Sequence, residues 1–306
     1  MAKVICVGHS ALDRVFTVEA WPDASAKVAA RAYTEIGGGG MAANASVAIA
    51  RLGGEVQFWG PAGADGVAEL MRAQLQAAGV DASGLRCFPG LQSSTSAILI
   101  DARGERLIVS YRGSALQAPA DWLQLDRIGS AGALLADVRW PQGALAALRA
   151  ARRVRIPTVL DADTAERSIL EGLAGEAEFV LFSEPGLECF AGAGAIEDGL
   201  RRSLALGARF AAVTQGERGL SWVEAGSTQG LHHLPAHTVS VTDTLAAGDV
   251  FHGAFALMLA EAKTPLEALG FANAAAAIKC TRAGGRDGSP EREEVEKFLI
   301  EAGTGR

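Results

Sequence analysis

Four short apolar runs, each separated from the next by a helical pattern, constrain this chain more than any other feature. Ala133 to Asp137, Pro157 to Asp161, Phe179 to Phe182 and Phe210 to Thr214 are too short for helices. They are also too evenly apolar for strands with one wet face, so they read as strands buried on both sides. Helical patterns fall between them, at Gly143 to Ala151, Ala165 to Leu173 and Ile196 to Leu206. That alternation predicts a mostly parallel sheet covered by helices. The first half begins the same way, with strands at Val4 to Gly8 and Gln57 to Pro61, an Ala-rich helix from Met41 to Leu52, and another from Val67 to Ala78. Two alternating stretches interrupt the rhythm, Val15 to Glu19 and Lys27 to Ile36. A further pair, Ser94 to Ile100 and Arg106 to Tyr111, flanks the hairpin signal Asp101-Ala102-Arg103-Gly104.

With 306 residues the chain can bury a full core, and neither a linker nor a repeat divides it. A formal net charge of -7, with no basic cluster beyond Arg152-Arg153-Val154-Arg155, argues against nonspecific nucleic-acid binding and against an anionic membrane surface. No stretch is long enough to span a bilayer, and MAKVICVG opens with strand character instead of a signal peptide, so a cytoplasmic protein is expected. Cys6, Cys87, Cys189 and Cys280 are scattered without a CxxC pair; they suggest buried free thiols and neither a zinc site nor a redox motif.

The stretch Val239 to Leu259, VSVTDTLAAGDVFHGAFALML, carries the chemistry. Its alternating start predicts a strand, Ala246-Ala247-Gly248 a tight turn, and the apolar spacing of Phe251, Phe255 and Leu259 a helix. The first N–H groups of such a helix lack partners and add positive potential, so the turn can hold an anion. Asp249 in the first helical turn is either a capping acid or a base that takes a proton from a hydroxyl. Asp13, just beyond the first strand, is either a turn cap or a ligand at the carboxyl edge of the sheet.

The resemblance that these residues carry is specific. TDTLAAGDVFHGAF is similar to the C-terminal signature of the ribokinase-like (PfkB) carbohydrate kinases, D-T-x-G-A-G-D, departing from it at Ala246, where the family has Gly. GGMAANASVAIARLGG resembles the family's N-terminal signature, about two hundred residues earlier. The resemblance implies a ribokinase-like three-layer α/β/α sandwich in one domain, residues 1–306, with a small β-sheet lid formed by about 14–36 and 94–112. It implies Asp249 as catalytic base, with the N–H groups of Ala246, Ala247 and Gly248 around the transferring phosphoryl group. Asp13, Gly39, Gly40 and Asn44 fall at sugar-binding positions. Val213-Thr214-Gln215-Gly216-Glu217-Arg218-Gly219 is similar to the family's V-T-x-G-x-x-G, which sets Thr214, Gly216 and Gly219 against ATP, and Asn273 lies on the helix that borders the adenine. Asp243, Thr244, Gly285 and Ser289 match the region that supplies oxygens to a monovalent cation, K+ for instance. ATP with Mg2+ is expected, although Ser183-Glu184-Pro185-Gly186 replaces the usual Asn-x-x-Glu and leaves Glu184 as the substitute for an indirect magnesium role. A homodimer joined through the lid is a further implication.

Within the family, TEIGGG, SSTSAILIDARGERLIVSY, LLADVRWPQGA, FSEPGL and KCTRAGGRDGSP resemble the 6-deoxy-6-sulfofructose kinases. Such a substrate needs a cationic clamp, for which Lys27, Arg139 and a hydroxyl from Ser110 are the candidates. As alternatives, Lys27 is a solvated strand lysine and Arg139 an ion-pair partner. A kinase of a neutral sugar, ketohexokinase, fructokinase or ribokinase-like, would share Asp249 and the fold. A noncatalytic sugar-sensing protein would retain Asp13 and Asn44 and lose Asp249, which is present.

Overall fold

A computed structural model describes residues 2–21, 27–103 and 105–304. The first half contains β1 (Lys3–Val7), β2 (Ala11–Thr17), β3 (Ala32–Gly39), α1 (Met41–Arg51), β4 (Glu55–Gly63), α2 (Gly66–Ala77), β5 (Asp81–Phe88), β6 (Ser94–Ile100) and β7 (Arg106–Tyr111). The alternation then continues through β8 (Ala133–Asp137), α3 (Pro141–Val154), β9 (Thr158–Ala162), α4 (Arg167–Ala174), β10 (Phe179–Ser183), α5 (Glu184–Ala191), α6 (Ile196–Leu206) and β11 (Phe210–Thr214). It closes with β12 (Leu220–Glu224), β13 (His232–Leu234), α7 (Ala247–Ala260), α8 (Pro265–Cys280) and α9 (Arg292–Thr304).

The large sheet runs β13-β12-β11-β10-β9-β8-β1-β4-β5, parallel except that β12, near one edge, pairs antiparallel with both β11 and β13. Because side chains alternate across a strand, Val4 and Cys6 of β1 face one core and Ile5 and Val7 the other. The first core is completed by α1, α2, α7 and α8, the second by α3, α4, α5 and α6. These are the three expected layers. The four-stranded small sheet, in the order β3-β2-β6-β7, is built from the four interrupting stretches. Residues 22–26 of the expected lid and Gly104 of its hairpin turn lie outside the described residues.

Three expectations need correction. The alternating run at Val239 to Thr242 makes no strand: Val241 is exposed, and the N–H groups of Thr242 and Asp243 donate to the Cys280 carbonyl at the end of α8, at 2.7 and 3.1 Å. Alternation without a neighbouring strand does not make a ladder. Lys27 to Arg31 lie outside the strand expected there, since β3 starts at Ala32, while β2 starts earlier than expected and takes in Asp13. Of the cysteines Cys6 is buried, with burial pushing its thiol up to about 12, but Cys189 is exposed; all four are free. No described helix is long and apolar enough to cross a membrane.

Helix α7 is the pivot of the first core, with every residue from Val250 to Leu259 buried. It crosses α1 at Gly253, where a Cβ would stand 2.6 Å from the Ala45 carbonyl oxygen. The backbones therefore meet without a side chain between them, and that brings Asn44 of α1 to Asp249 of α7. Gly253→Ala should lower stability by up to about 2 kcal/mol, an overpacking cost of ~1–3 kcal/mol set against the ~1 kcal/mol by which Ala ordinarily improves a helix over Gly. Urea denaturation measures this, and an unchanged or higher midpoint would contradict the close crossing.

Candidate active site

The parallel strands end on one edge of the sheet, where Asp137 closes β8 and Asp161 lies near the end of β9, paired in register. Above them α7 begins. Its N-cap, Ala246, holds φ 63° and ψ 11°, a left-handed conformation that glycine adopts freely and alanine does not. The turn is braced by Leu245 N–H donating to Asp243 Oδ1 at 2.8 Å and Ala247 N–H to the Thr244 carbonyl at 3.2 Å. No side chain caps the helix, so its first N–H groups, Gly248 and Asp249 among them, lack intrahelical acceptors, an arrangement suited to an anion.

Asp249 takes its place through Asn44, whose Nδ2 donates to Oδ2 at 2.6 Å. The residue is half-buried, and protein atoms crowd around its carboxylate. Burial, foremost, and the negative charge of Asp161 push its pKa up to about 7, against the Asn44 hydrogen bond and the charge of His252. Sequence reasoning had not singled out His252, one helical turn on. Its Nδ1 lies 2.7 Å from the Gly248 carbonyl and 3.4 Å from Asp161 Oδ2, and its Nε2 lies 3.3 Å from the Leu181 carbonyl. Asp137 is likewise structural: it accepts N–H bonds from His9 at 2.8 Å, Ala42 at 3.1 Å and Arg139 at 2.8 Å, welding β1, α1 and β8 together.

The sugar-binding positions converge. Asp13, 6% exposed, is linked to Ser96, and Ser96 Oγ lies 3.3 Å from Ser110 Oγ, which draws Ser110 to the same corner. Burial chiefly raises the pKa of Asp13, while Ser96 and the charge of Arg286 oppose it. Gly39 and Gly40 are glycines for space: a Cβ on Gly39 would stand 2.7 Å from Asp13 Oδ1, and one on Gly40, at φ 94°, 2.3 Å from the His9 carbonyl. Asn44 Oδ1 is buried without a partner among the described residues. So is Nη1 of Arg286, a side chain that sequence reasoning passed over. Arg286 is 3% exposed, and its charge is felt at both Asp13 and Asp249; burial, first of all, lowers its pKa to about 10. A buried donor and a buried acceptor awaiting partners mark a place for a polar ligand.

Lys27 and Arg139 are not brought together. Arg139 donates to Asp163 Oδ2 at 2.8 Å and to the carbonyl and hydroxyl of Thr164, which makes it an ion-pair partner in this structure. Lys27 is exposed, on the chain leading into the end of β3 that lies away from Asp13. Arg112, exposed beyond β7, is the lid cation nearer the site: its charge and that of Arg139 both reach the enclosed imidazole of His9, whose pKa burial chiefly holds at about 3.

The nucleotide positions have a suitable shape. Thr214 ends β11, and Gly216 and Gly219 bracket a short turn closed by Gln215 N–H to the Gly219 carbonyl at 2.7 Å. Asn273 commits one donor to the Pro235 carbonyl at 2.9 Å, so it anchors the chain that borders this side. Glu184, in the first turn of α5, is ion-paired with Arg218. Among the residues expected to hold a monovalent cation, Ser289 Oγ donates to the Arg286 carbonyl at 2.6 Å, Gly285 N–H donates to Asp243 Oδ2 at 3.0 Å, and the Lys279 ammonium lies against Asp243. Thr244 is exposed. No cluster of three or more His, Cys, Asp or Glu that could hold a metal ion occurs among the described residues.

Comparison with known proteins agrees with this geometry. Residues 1–292 match the family described as pfkB family carbohydrate kinase. The ribokinase of Bacillus subtilis is 30% identical over 302 residues, covering 98% of this chain and 100% of that protein. Fructokinase-2 of Solanum lycopersicum is 28% identical, covering 85% and 86%. A crystal structure of a protein from Agrobacterium tumefaciens superimposes with a TM-score of 0.92 at 39% identity, covering 99% of each chain. With a catalytic-base position, an uncapped helix N-terminus and two signatures meeting at one sheet edge, and a family match over nearly its whole length, the chain belongs to the PfkB carbohydrate kinases.

Proposed function

We propose that this protein transfers the γ-phosphate of ATP to a primary hydroxyl of a ketose-like sugar in the cytoplasm, with Asp249 as general base. The observation that carries the reading is Asp249 itself: a carboxylate with its pKa near neutrality, fixed by Asn44, in the first turn of an uncapped helix. Asp249 removes the hydroxyl proton, the sugar oxygen bonds to the γ-phosphorus, and the bond from that phosphorus to the bridging oxygen breaks to release ADP. The N–H groups of Ala246, Gly248 and Asp249 face the charge that spreads over the transferring group, while the Ala247 N–H braces the turn on the Thr244 carbonyl. Magnesium bound with ATP supplies further neutralisation of that charge. The small sheet, with Asp13, Ser96 and Ser110 at its inner end, closes over the sugar and keeps water from competing as nucleophile.

For the sugar, we infer 6-deoxy-6-sulfofructose, converted to its 1-phosphate. Support comes from the stretches that resemble such kinases and from two cations beside the pocket, Arg286 and Arg112. The engagement of Arg139 with Asp163 and the exposure of Lys27 favour a second reading, a neutral pentose or ketose. The names of the relatives, ribokinase and fructokinase, favour it too.

Asp249→Asn should lower turnover at least ~100-fold while ATP still binds. In the parent enzyme kcat/KM should fall as pH drops through about 7, because the base is then protonated; retained turnover, or a flat profile between pH 6 and 8, would remove Asp249 from its role. The substrate is decided by kcat/KM for 6-deoxy-6-sulfofructose, fructose 6-phosphate, fructose and ribose in the parent and in Arg286→Gln. On the anionic reading the sulfonated sugar leads, and the substitution costs it roughly one to two powers of ten more than it costs fructose, the worth of a charge-assisted contact. Preference for fructose or ribose in the parent would establish the neutral reading instead.

The small sheet also supports a proposal about assembly. Leu107, Val109 and Tyr111 share one face of β7 and are 48–60% exposed, and Tyr33 of β3 is 52% exposed. An apolar sheet face of this kind suits a second copy of the chain, joined through a two-fold axis that sets the same surface on both sides. Sedimentation should show a dimer that Val109→Asp converts to a monomer; an unchanged sedimentation coefficient would contradict the interface.

A further inference from the structure

Lys279 is a fully buried lysine in the last turn of α8, with 0% of its surface exposed. An ammonium taken out of water is tolerated only where oxygens surround it. Here they do: Nζ donates to the Asp243 carbonyl at 2.7 Å and to the Arg282 carbonyl at 3.1 Å, and lies 3.4 Å from Asp243 Oδ2. The same Asp243 carboxylate accepts from Leu245 N–H at 2.8 Å and Gly285 N–H at 3.0 Å. Three segments thus meet on one positive charge: the chain leading into the turn at Ala246, the end of α8, and the loop that carries Arg286.

We propose that the Lys279 ammonium is a built-in monovalent cation for the phosphate-binding turn. It acts as a positioning residue, holding Asp243 and through it Leu245, so that the N–H groups from Ala246 to Asp249 keep their direction. A singly charged ion bound by main-chain and carboxylate oxygens would do the same work, and the ammonium fills that place without depending on salt. The inference rests on the reading that the Ala246 to Asp249 turn holds the transferring phosphoryl group. It extends that reading to a definite behaviour: the enzyme needs no added monovalent cation, and it acquires a response to one when the lysine is removed.

The test uses the full chain, ATP with magnesium, and whichever sugar the parent turns over best. Ionic strength is held constant with tetramethylammonium chloride while potassium or ammonium chloride is exchanged for it. The parent should change less than about twofold across the exchange, and Lys279→Met, which keeps most of the buried stem, should lose roughly ten- to a hundredfold in kcat/KM for ATP, as misplacement of a phosphate cradle does. Potassium or ammonium should then restore a large part of the loss in the variant, since either ion can sit among the vacated oxygens. A lysine that only fills space would give a variant that no salt rescues. That outcome, a variant as active as the parent, or a parent already activated several-fold by potassium would each overturn the proposal. Should Lys279→Met not fold, Lys279→Gln enters the same assay; should neither fold, the parent decides, indifference to potassium supporting the inference and activation refuting it. Failure of the underlying reading is separate, because it would appear as retained turnover in Asp249→Asn.

Discussion

The active site depends on one contact between backbones. At Gly253 the helix carrying Asp249 meets the helix carrying Asn44 with no side chain between them, and a Cβ there would strike the Ala45 carbonyl. Only at that separation does Asn44 reach Asp249 Oδ2 at 2.6 Å. The crossing also decides what lies beneath. It seats the start of α7 over the ends of β8 and β9, so that Asp249 feels the charges of Asp161 and Asp137 and its proton affinity rises into the range a base needs near neutral pH. Packing of small residues therefore sets the electrostatics of the site. Ala42, Ala45 and Ala48 on α1 and Ala254 on α7, all nearly free of solvent exposure, are the means.

The acids at the sheet edge do not share one task. Asp137 is saturated with three N–H donors, and its buried carboxylate joins elements. Asp161 has no such set; burial and the charges of Asp163 and Asp137 push its pKa well above the ordinary carboxylate range. Asp163 is held by Arg139 and by the Ser183 hydroxyl at 2.8 Å. What separates Asp249 from these is an open side. The residue keeps some exposure, it is hydrogen-bonded to Asn44, whose Oδ1 is buried without a partner among the described residues, and it feels the Arg286 charge. On the proposed reading, a hydroxyl-bearing ligand would meet an acceptor, a base and a cation together there.

The repeating strands and helices were legible because β8, β9 and β10 are each short, apolar on both faces and followed by a helix. β8, β9, β10 and β11 fall within a residue or so of the expected bounds. Strands β5, β12 and β13 were missed: β5 mixes exposed and buried positions, and the other two are an antiparallel edge addition that no helix announces. The run at Val239 to Thr242 shows the opposite failure, an alternating pattern with no strand beside it. In the site, Asp13, Asn44 and Asp249 could be read from signatures. His252, Arg286 and Lys279 could not, because a lysine in an Ala-rich helix and an arginine in a glycine-rich loop look solvated until the fold buries them. The ring of oxygens around Lys279 is assembled from residues almost forty positions apart and leaves no local pattern.

Ala246 joins these observations. An alanine in the left-handed region costs about 1–2 kcal/mol, and glycine would remove that cost. The conformation is kept nonetheless, which means that the surroundings over-determine it. From one side Asp243 receives Leu245 N–H and is itself held by Lys279; from the other, Val250 N–H donates to the Ala246 carbonyl at 2.9 Å and begins the helix. A turn clamped at both ends tolerates a strained residue in the middle. The same clamping fixes the uncapped start of α7, and on the proposed kinase reading that is a preformed cradle for negative charge, which leaves little reorganisation for the moment of transfer.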